Sequence, residues 1–252
     1  MANKESPIKT IVVAVLLSLV CSIVVSYAAI KLKPQQQMNK ALDKKLNILM
    51  AAGMVENPVA ADVASLFEQV EARVVDLASG EFVEAPEGFD QREFAKNAAT
   101  SIKLDSEVDL GGIGSRSKLA SVYIVRKDGK FDTLILPMHG KGLFSTLYGF
   151  VALDSDLKTI KGIKYYEHGE TPGLGGEVEN PLWLAKWPGK EALNDNGEPI
   201  ITLVKNGADE TTEVDALSGA TWTSNGVQNM LHFWLGDNGF GPFLDKVRAG
   251  GL

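Results

Sequence analysis

Residues 215–226, D-A-L-S-G-A-T-W-T-S-N-G, carry four hydroxyls, on Ser218, Thr221, Thr223 and Ser224, directly ahead of an apolar stripe. The stripe is Val227, Met230, Leu231, Trp234 and Leu235, spaced i, i+3, i+4, i+7 and i+8, which predicts one face of a helix. The hydroxyls then fall on its first turn. A helix start has N–H groups without intrahelical partners and the positive end of the dipole, so it favours phosphate. Thr221 stands where a phosphate-bearing ligand can be held, or joined to the hydroxyl through a phosphoester. The same residues also describe an ordinary N-cap, because Ser, Thr and Asn are the common capping side chains.

Upstream the pattern changes. Residues 120–138, A-S-V-Y-I-V-R-K-D-G-K-F-D-T-L-I-L-P-M, place Asp128-Gly129 between two β-rich runs, a hairpin signal. Residues 144–153 and 159–166 predict a second hairpin around Asp154-Ser155-Asp156, and residues 199–204 a further strand. Residues 38–50, with Leu42, Leu46 and Leu49 on one face, predict an amphipathic helix. A second helix is predicted from Asp62 as N-cap, through Val63, Leu66, Phe67, Val70, Val74 and Val75. The expected fold is α+β: a helical stalk or cap over 31–100, then a body over 101–252 of antiparallel hairpins and packed helices.

Residues 10–30 contain no charge and are rich in Val, Leu, Ile and Ala. At ~1.5 Å per residue such a helix spans the ~30 Å hydrocarbon core of a bilayer. A cleaved signal peptide is the alternative, with S-Y-A at 26–28 as a passable cleavage site, but the apolar run is long for one. The expectation is one transmembrane helix at 10–30, held by membrane lipid, after a short cytoplasmic N-terminus at 1–9. Residues 1–45 hold seven lysines against Glu5 and Asp43, a net +5, which leaves −12 on the rest of a chain of net −7. An acidic body without clustered Lys or Arg argues against nucleic acid. The only cysteine, Cys21, lies within the apolar run, so this chain has no cysteine set for a disulfide, zinc or an iron–sulfur cluster.

A second constellation, E-H-G-E-T-P-G-L-G-G-E, occupies residues 167–177. Pro172-Gly173 calls for a turn, and its glycines let backbone approach a flat ligand, with Leu174 as an apolar tip. An ordinary Gly/Pro loop reads the same way. G-K-G-L at 140–143 adds Lys141 as a candidate cation and Leu143 as candidate packing, and Lys205 stands at a predicted strand end. Residues 109–117 lack P-loop spacing, and G-L-G-G-E is not G-x-G-x-x-G, so no NADH site is expected. His139, His168 and His232 lack metal-ligand spacing, and no G-x-S-x-G or acid–base pair marks a catalytic centre.

The string D-A-L-S-G-A-T resembles the flavinylation motif, in which the last Thr carries FMN through its phosphate, and every motif position is matched. E-T-P-G-L-G is the second hallmark of that family. Together with the N-terminal apolar helix, the helical lead-in and the length, these residues make the chain similar to the C-subunit family of sodium-translocating NADH:quinone oxidoreductases. The related G-type flavin protein of Rnf complexes is the near alternative, and is typically shorter between anchor and flavin domain. A membrane-anchored ligand-binding or sensory module without redox role is the more distant one.

The resemblance implies covalent FMN on Thr221, within a motif comprising Asp215, Ser218, Gly219, Ala220 and Thr223, and ring contacts from Glu170, Thr171, Gly173 and Leu174. It implies installation by a separate flavin transferase, since the motif has no His or Lys beside Thr221 to activate the hydroxyl. It further implies a single-pass inner-membrane protein with its flavin domain in the periplasm, relaying single electrons. Its partners would be subunits holding NADH, FAD, iron–sulfur and ubiquinone sites, in a complex that exports sodium.

Overall fold

The computed structural model describes residues 6–55 and 62–250, so the first five residues of the predicted cytoplasmic segment lie outside the described residues. The chain divides into two compact units, Met1–Lys44 and Lys45–Leu252. Helix α1, Pro7–Ala51, runs uninterrupted through Pro34. The predicted polar exit K-L-K-P-Q-Q-Q is therefore helical, and the anchor and the amphipathic helix are parts of one element. Gln and Lys are good helix formers, and Pro34 removes only one backbone bond. In the first unit α1 is apolar and exposed, with a mean hydropathy of 2.7 over its most apolar 18 residues, long enough to cross a membrane.

The second unit begins with the last turns of α1, followed by α2 (Val63–Phe67), β1 (Val70–Asp76), β2 (Phe82–Val83), α3 (Gln91–Lys96), β3 (Ser101–Lys103) and β4 (Ser115–Ser117). Then come β5 (Leu119–Lys127), β6 (Lys130–Lys141), β7 (Thr146–Asp154), β8 (Ile160–Glu167), a 3-10 turn at Gly175–Glu179 and α4 (Pro181–Leu184). Strands β9 (Thr202–Val204) and β10 (Glu213–Asp215) lead into α5 (Thr221–Leu235) and α6 (Gly241–Arg248). Six strands form one antiparallel sheet in the order β2-β1-β5-β6-β7-β8. β9 and β10 pair in parallel beside it, so the strand expected at 199–204 is present but shorter.

Both hairpins form as expected. Lys127 pairs with Lys130 across Asp128-Gly129, both at positive φ (52° and 76°), as a two-residue turn matched to strand twist requires. The strands read as nearly continuous apolar runs because the sheet buries both faces. Val122, Ile124, Leu134, Leu136, Val151 and Leu153 face the larger core, under α5 and α6. The residues between them, Tyr123, Val125, Ile135, Phe150 and Ala152, face a second core with Ile48, Leu49 and Ala51 from the end of α1. Residues i and i+1 of a strand point to opposite faces, so a covered sheet loses its polar alternation.

The stalk reading of 31–100 fails at Val70. The helix from Asp62 does form, with the Asp62 carboxylate accepting from Ser65 N–H at 3.3 Å, but it ends at Phe67. Val70, Val74 and Val75 lie instead on β1, paired with β5 over seven residues. Their helical spacing is overridden because β-branched side chains suit a strand and β5 would otherwise be an unpaired edge. Residues 70–83 thus belong to the sheet of the body.

α5 lies on this sheet as its stripe predicts: Val227, Met230, Leu231, Trp234 and Leu235 are all fully buried. Trp234 Nε1 donates to the His139 carbonyl at 2.7 Å, fixing the far end of the helix to β6. Near its start, a Cβ on Gly226 would stand 2.3 Å from the Lys141 carbonyl oxygen. Only glycine lets the end of β6 pass there.

Candidate functional site

The four hydroxyls at the start of α5 have different fates. Ser224 Oγ donates to the Ala220 carbonyl (3.0 Å) and accepts from Leu217 N–H (3.0 Å). Thr223 Oγ1 donates to Glu170 Oε2 at 2.7 Å, and both residues are buried. Ser218 and Thr221 stay exposed. They line a depression of about 220 Å³ with Lys205, Asn206, Leu217, Gly219 and Asn225. The N-cap residue is Ala220, with no side-chain cap, so the first turn of α5 keeps uncapped N–H groups beside Thr221.

Beneath this turn lies a buried carboxylate. Glu170, 5% exposed, accepts from Leu143 N–H (3.2 Å), Phe144 N–H (3.0 Å), Ser145 N–H (2.9 Å), Ser145 Oγ (2.9 Å) and Thr223 Oγ1. Burial opposes its charge, yet the bonds from Thr223, Phe144 and Ser145 outweigh that and hold its pKa below the ordinary carboxylate range. The E-T-P-G-L-G turn closes on itself, the Thr171 carbonyl accepting from Leu174 N–H (3.1 Å) and Gly176 N–H (2.9 Å). Gly173 sits at φ 76°, which a side chain would strain. A Cβ on Gly219 would lie 3.1 Å from Leu174 Cδ2, so the two hallmark loops are in contact.

A family model for the FMN-binding domain matches residues 142–236. The C subunit of the Na(+)-translocating NADH-quinone reductase of Yersinia pestis is 49% identical, covering 99% of this chain and 96% of its own. That of Vibrio vulnificus strain YJ016 is 51% identical over the whole of both chains. The chain belongs to the C-subunit family of Na(+)-translocating NADH-quinone reductases. The crystal structure of Shewanella oneidensis NqrC matches the fold with a TM-score of 0.78 at 37% identity, covering 84% of this chain and 99% of that one. The C subunit from Parabacteroides distasonis gives 0.62 at 28% identity, over 86% and 96%.

The walls of the site in this C-subunit family member fit FMN. Uncapped N–H groups, hydroxyls, two amides and Lys205 suit a phosphate and a polyol chain. At about 220 Å³ the depression is smaller than the ~300–1,000 Å³ that encloses a whole drug-sized ligand, so a flat ring would rest outside it. Large apolar side chains stand exposed on the first turn of α5 and on the two loops that adjoin it: Leu143 (43%), Leu174 (44%), Phe144 (70%) and Trp222 (72%).

The predicted residues therefore separate. Thr221, Ser218, Gly219 and Lys205 meet at one depression. Leu174, Thr171 and Gly173 form the turn beside it, and Leu143 stands on the loop joined through Glu170. Asp215 does not line the depression: its carboxylate bonds Lys186 Nζ (2.7 Å) and Ala208 N–H (3.2 Å), its carbonyl accepts from Trp183 Nε1 (2.8 Å), and the Lys186 bond leads in lowering its pKa. Ala220 is the buried N-cap, and Lys141 contributes backbone against Gly226 rather than a cation in the depression. Asn206, Asn225, Phe144 and Trp222 were not expected. For the two aromatics a signal existed: a large ring beside a Gly loop, and another in the polar first turn of a helix.

Proposed function

We propose that this chain carries FMN through a phosphoester to Thr221 and relays single electrons within a membrane NADH:quinone oxidoreductase that exports sodium. The observation that carries the reading is the selectivity of the helix start. Thr223 and Ser224 are buried and hydrogen-bonded within the fold, whereas Thr221 is exposed at the uncapped N-terminus of α5, in a depression suited to phosphate. Thr221 is the helix-start hydroxyl positioned for attachment.

FMN supplies reversible one- and two-electron redox chemistry; the protein supplies attachment, orientation and electrostatics. The first turn of α5 and Lys205 take the phosphate, Ser218 and the Asn206 and Asn225 amides the polar chain, and Leu143, Phe144, Leu174 and Trp222 an exposed apolar seat for the ring. Covalent attachment replaces affinity with effective molarity, which keeps the cofactor in place in every redox state. That suits a flavin domain on the periplasmic side, beyond cytoplasmic supply, with α1 as a single-pass anchor and residues 1–9 in the cytoplasm. A ring seated on the surface suits electron exchange with other subunits, which hold the NADH, FAD, iron–sulfur and quinone sites. A separate flavin transferase installs the group, since the Thr221 hydroxyl makes no hydrogen bond to a side chain that could activate it among the described residues.

The test is flavin fluorescence after full denaturation, on chain co-expressed with a flavin transferase. The wild-type band is expected to fluoresce and the Thr221→Ala band to be dark. A dark wild type, with the transferase active on another target, would overturn the covalent reading in favour of reversible ligand binding.

A further inference from the structure

We propose that Glu170 is the positioning residue of the flavin site, locking three segments into one platform and setting, by its charge, how readily the flavin at Thr221 accepts an electron. The inference rests on the function proposed above for the second half of that statement only. Five donors from the 143–145 loop and from the first turn of α5 converge on a carboxylate that is itself part of the E-T-P-G-L-G turn. No other described carboxylate ties together those three segments.

Two glycines show that the arrangement is built around the carboxylate. A Cβ on Gly142 would stand 2.6 Å from Glu170 Oε1, and one on Gly175 would stand 2.6 Å from both Glu170 Oε2 and Thr223 Oγ1. Both loops thus leave space for the charge from either side. Leu143, Phe144, Leu174 and Trp222, the exposed apolar residues of the site, belong to the segments that it holds, so the seat is as rigid as these bonds. The charge is bonded to Thr223, within the same helical turn as Thr221. A buried negative charge this close opposes electron uptake by a neighbouring ring, because low local dielectric leaves it weakly screened.

Glu170→Gln keeps the shape and removes the charge. Its amide oxygen still accepts from Phe144 and Ser145, while its NH2 faces the Leu143 N–H, donor against donor. Two readouts on the full-length chain test the proposal. Without flavin, amide hydrogen exchange at Leu143–Ser145 should quicken at least tenfold in the variant. With flavin attached, the one-electron reduction equilibrium should shift about tenfold toward the reduced form, roughly 59 mV upward. Thr223→Val removes one bond but keeps the charge, and should leave the potential near wild type. Unchanged exchange overturns the platform, and an unchanged potential in flavin-bearing Glu170→Gln overturns the electrostatic role. If wild type takes up no flavin at all, the function proposed above and the electrostatic role fail together, while exchange in the flavin-free chain still decides the platform.

Discussion

Two depressions of similar size open on the second unit, about 220 Å³ at Thr221 and about 200 Å³ beside Tyr148, and their walls differ in what remains uncommitted. At the first, the side chains of Thr221, Ser218, Lys205, Asn206 and Asn225 make no hydrogen bond or ion pair among the described residues. At the second, Arg92 grips Glu167 through two bonds of 2.7 and 2.9 Å and lies 3.7 Å over the Tyr148 ring. Lys96 pairs with Glu93 (2.8 Å), Ser115 Oγ donates to the Ala95 carbonyl (2.9 Å), and His139 stacks on Tyr148. A hollow becomes a binding site through polar groups that the fold leaves unused, and volume alone separates these two poorly. The second depression reads as the seam where α3 closes over the sheet.

The largest effect expected from this contrast is all-or-none. Thr221→Ala should abolish covalent flavin, whereas Thr146→Ala, which changes a hydroxyl in the wall of the second depression, should leave attachment intact. Denaturing-gel fluorescence reads both variants in one experiment. Loss of flavin in Thr146→Ala would erase the distinction between the two hollows.

Next comes a pH effect confined to the second depression. His139 is packed between Tyr148 and Trp234, and burial, with Arg92 nearby, lowers its pKa from 6.5 to about 4. Between those values the unfolded chain binds a proton that the folded one rejects, so stability rises with pH across that window. Lowering the pH from about 7 to about 4 should therefore cost on the order of 3 kcal/mol from this residue, at ~1.4 kcal/mol per unit. Denaturant unfolding at several pH values measures it. His139→Phe, which cannot protonate, should flatten the curve, and a curve that keeps its slope in this variant would show that other groups carry the loss.

What could be read from the sequence alone follows the range of the interaction involved. The Asp128-Gly129 turn and the stripe on α5 are local features, set by turn chemistry and helical period within a few residues, and both were legible. The hydroxyl-rich first turn was legible too. That Thr223 is taken up by the fold was not, because it is engaged by Glu170, 53 residues away. For the same reason the burial of Glu170 among donors from residues 143–145 was not legible, its place at the ring having been implied by the resemblance alone. Asp215 is drawn to Lys186 by a pairing across 29 residues. At Val70–Asp76 the local signal pointed the wrong way, and a strand partner 43 or more residues downstream decided the outcome.

The smallest effect tests whether the seam stands apart from the flavin site. Arg92→Ala removes a bidentate pair and a cation–π contact, leaving the Glu167 carboxylate without those two bonds. Both ends of the ion pair are more than a third exposed, so water screens much of their attraction. A pair of this kind contributes roughly 0–1 kcal/mol and an exposed cation–π contact ~0.5–1, so a loss of about 1 kcal/mol is expected in urea unfolding. Glu167 nonetheless ends β8 three residues before Glu170, and Tyr148 pairs with Glu167 across the strands. If β8 transmits the disturbance, the Glu170 bonds loosen and flavin attachment falls along with stability. If the five donors hold Glu170 independently, stability drops by that single kilocalorie while attachment matches wild type, and this second result is the one expected.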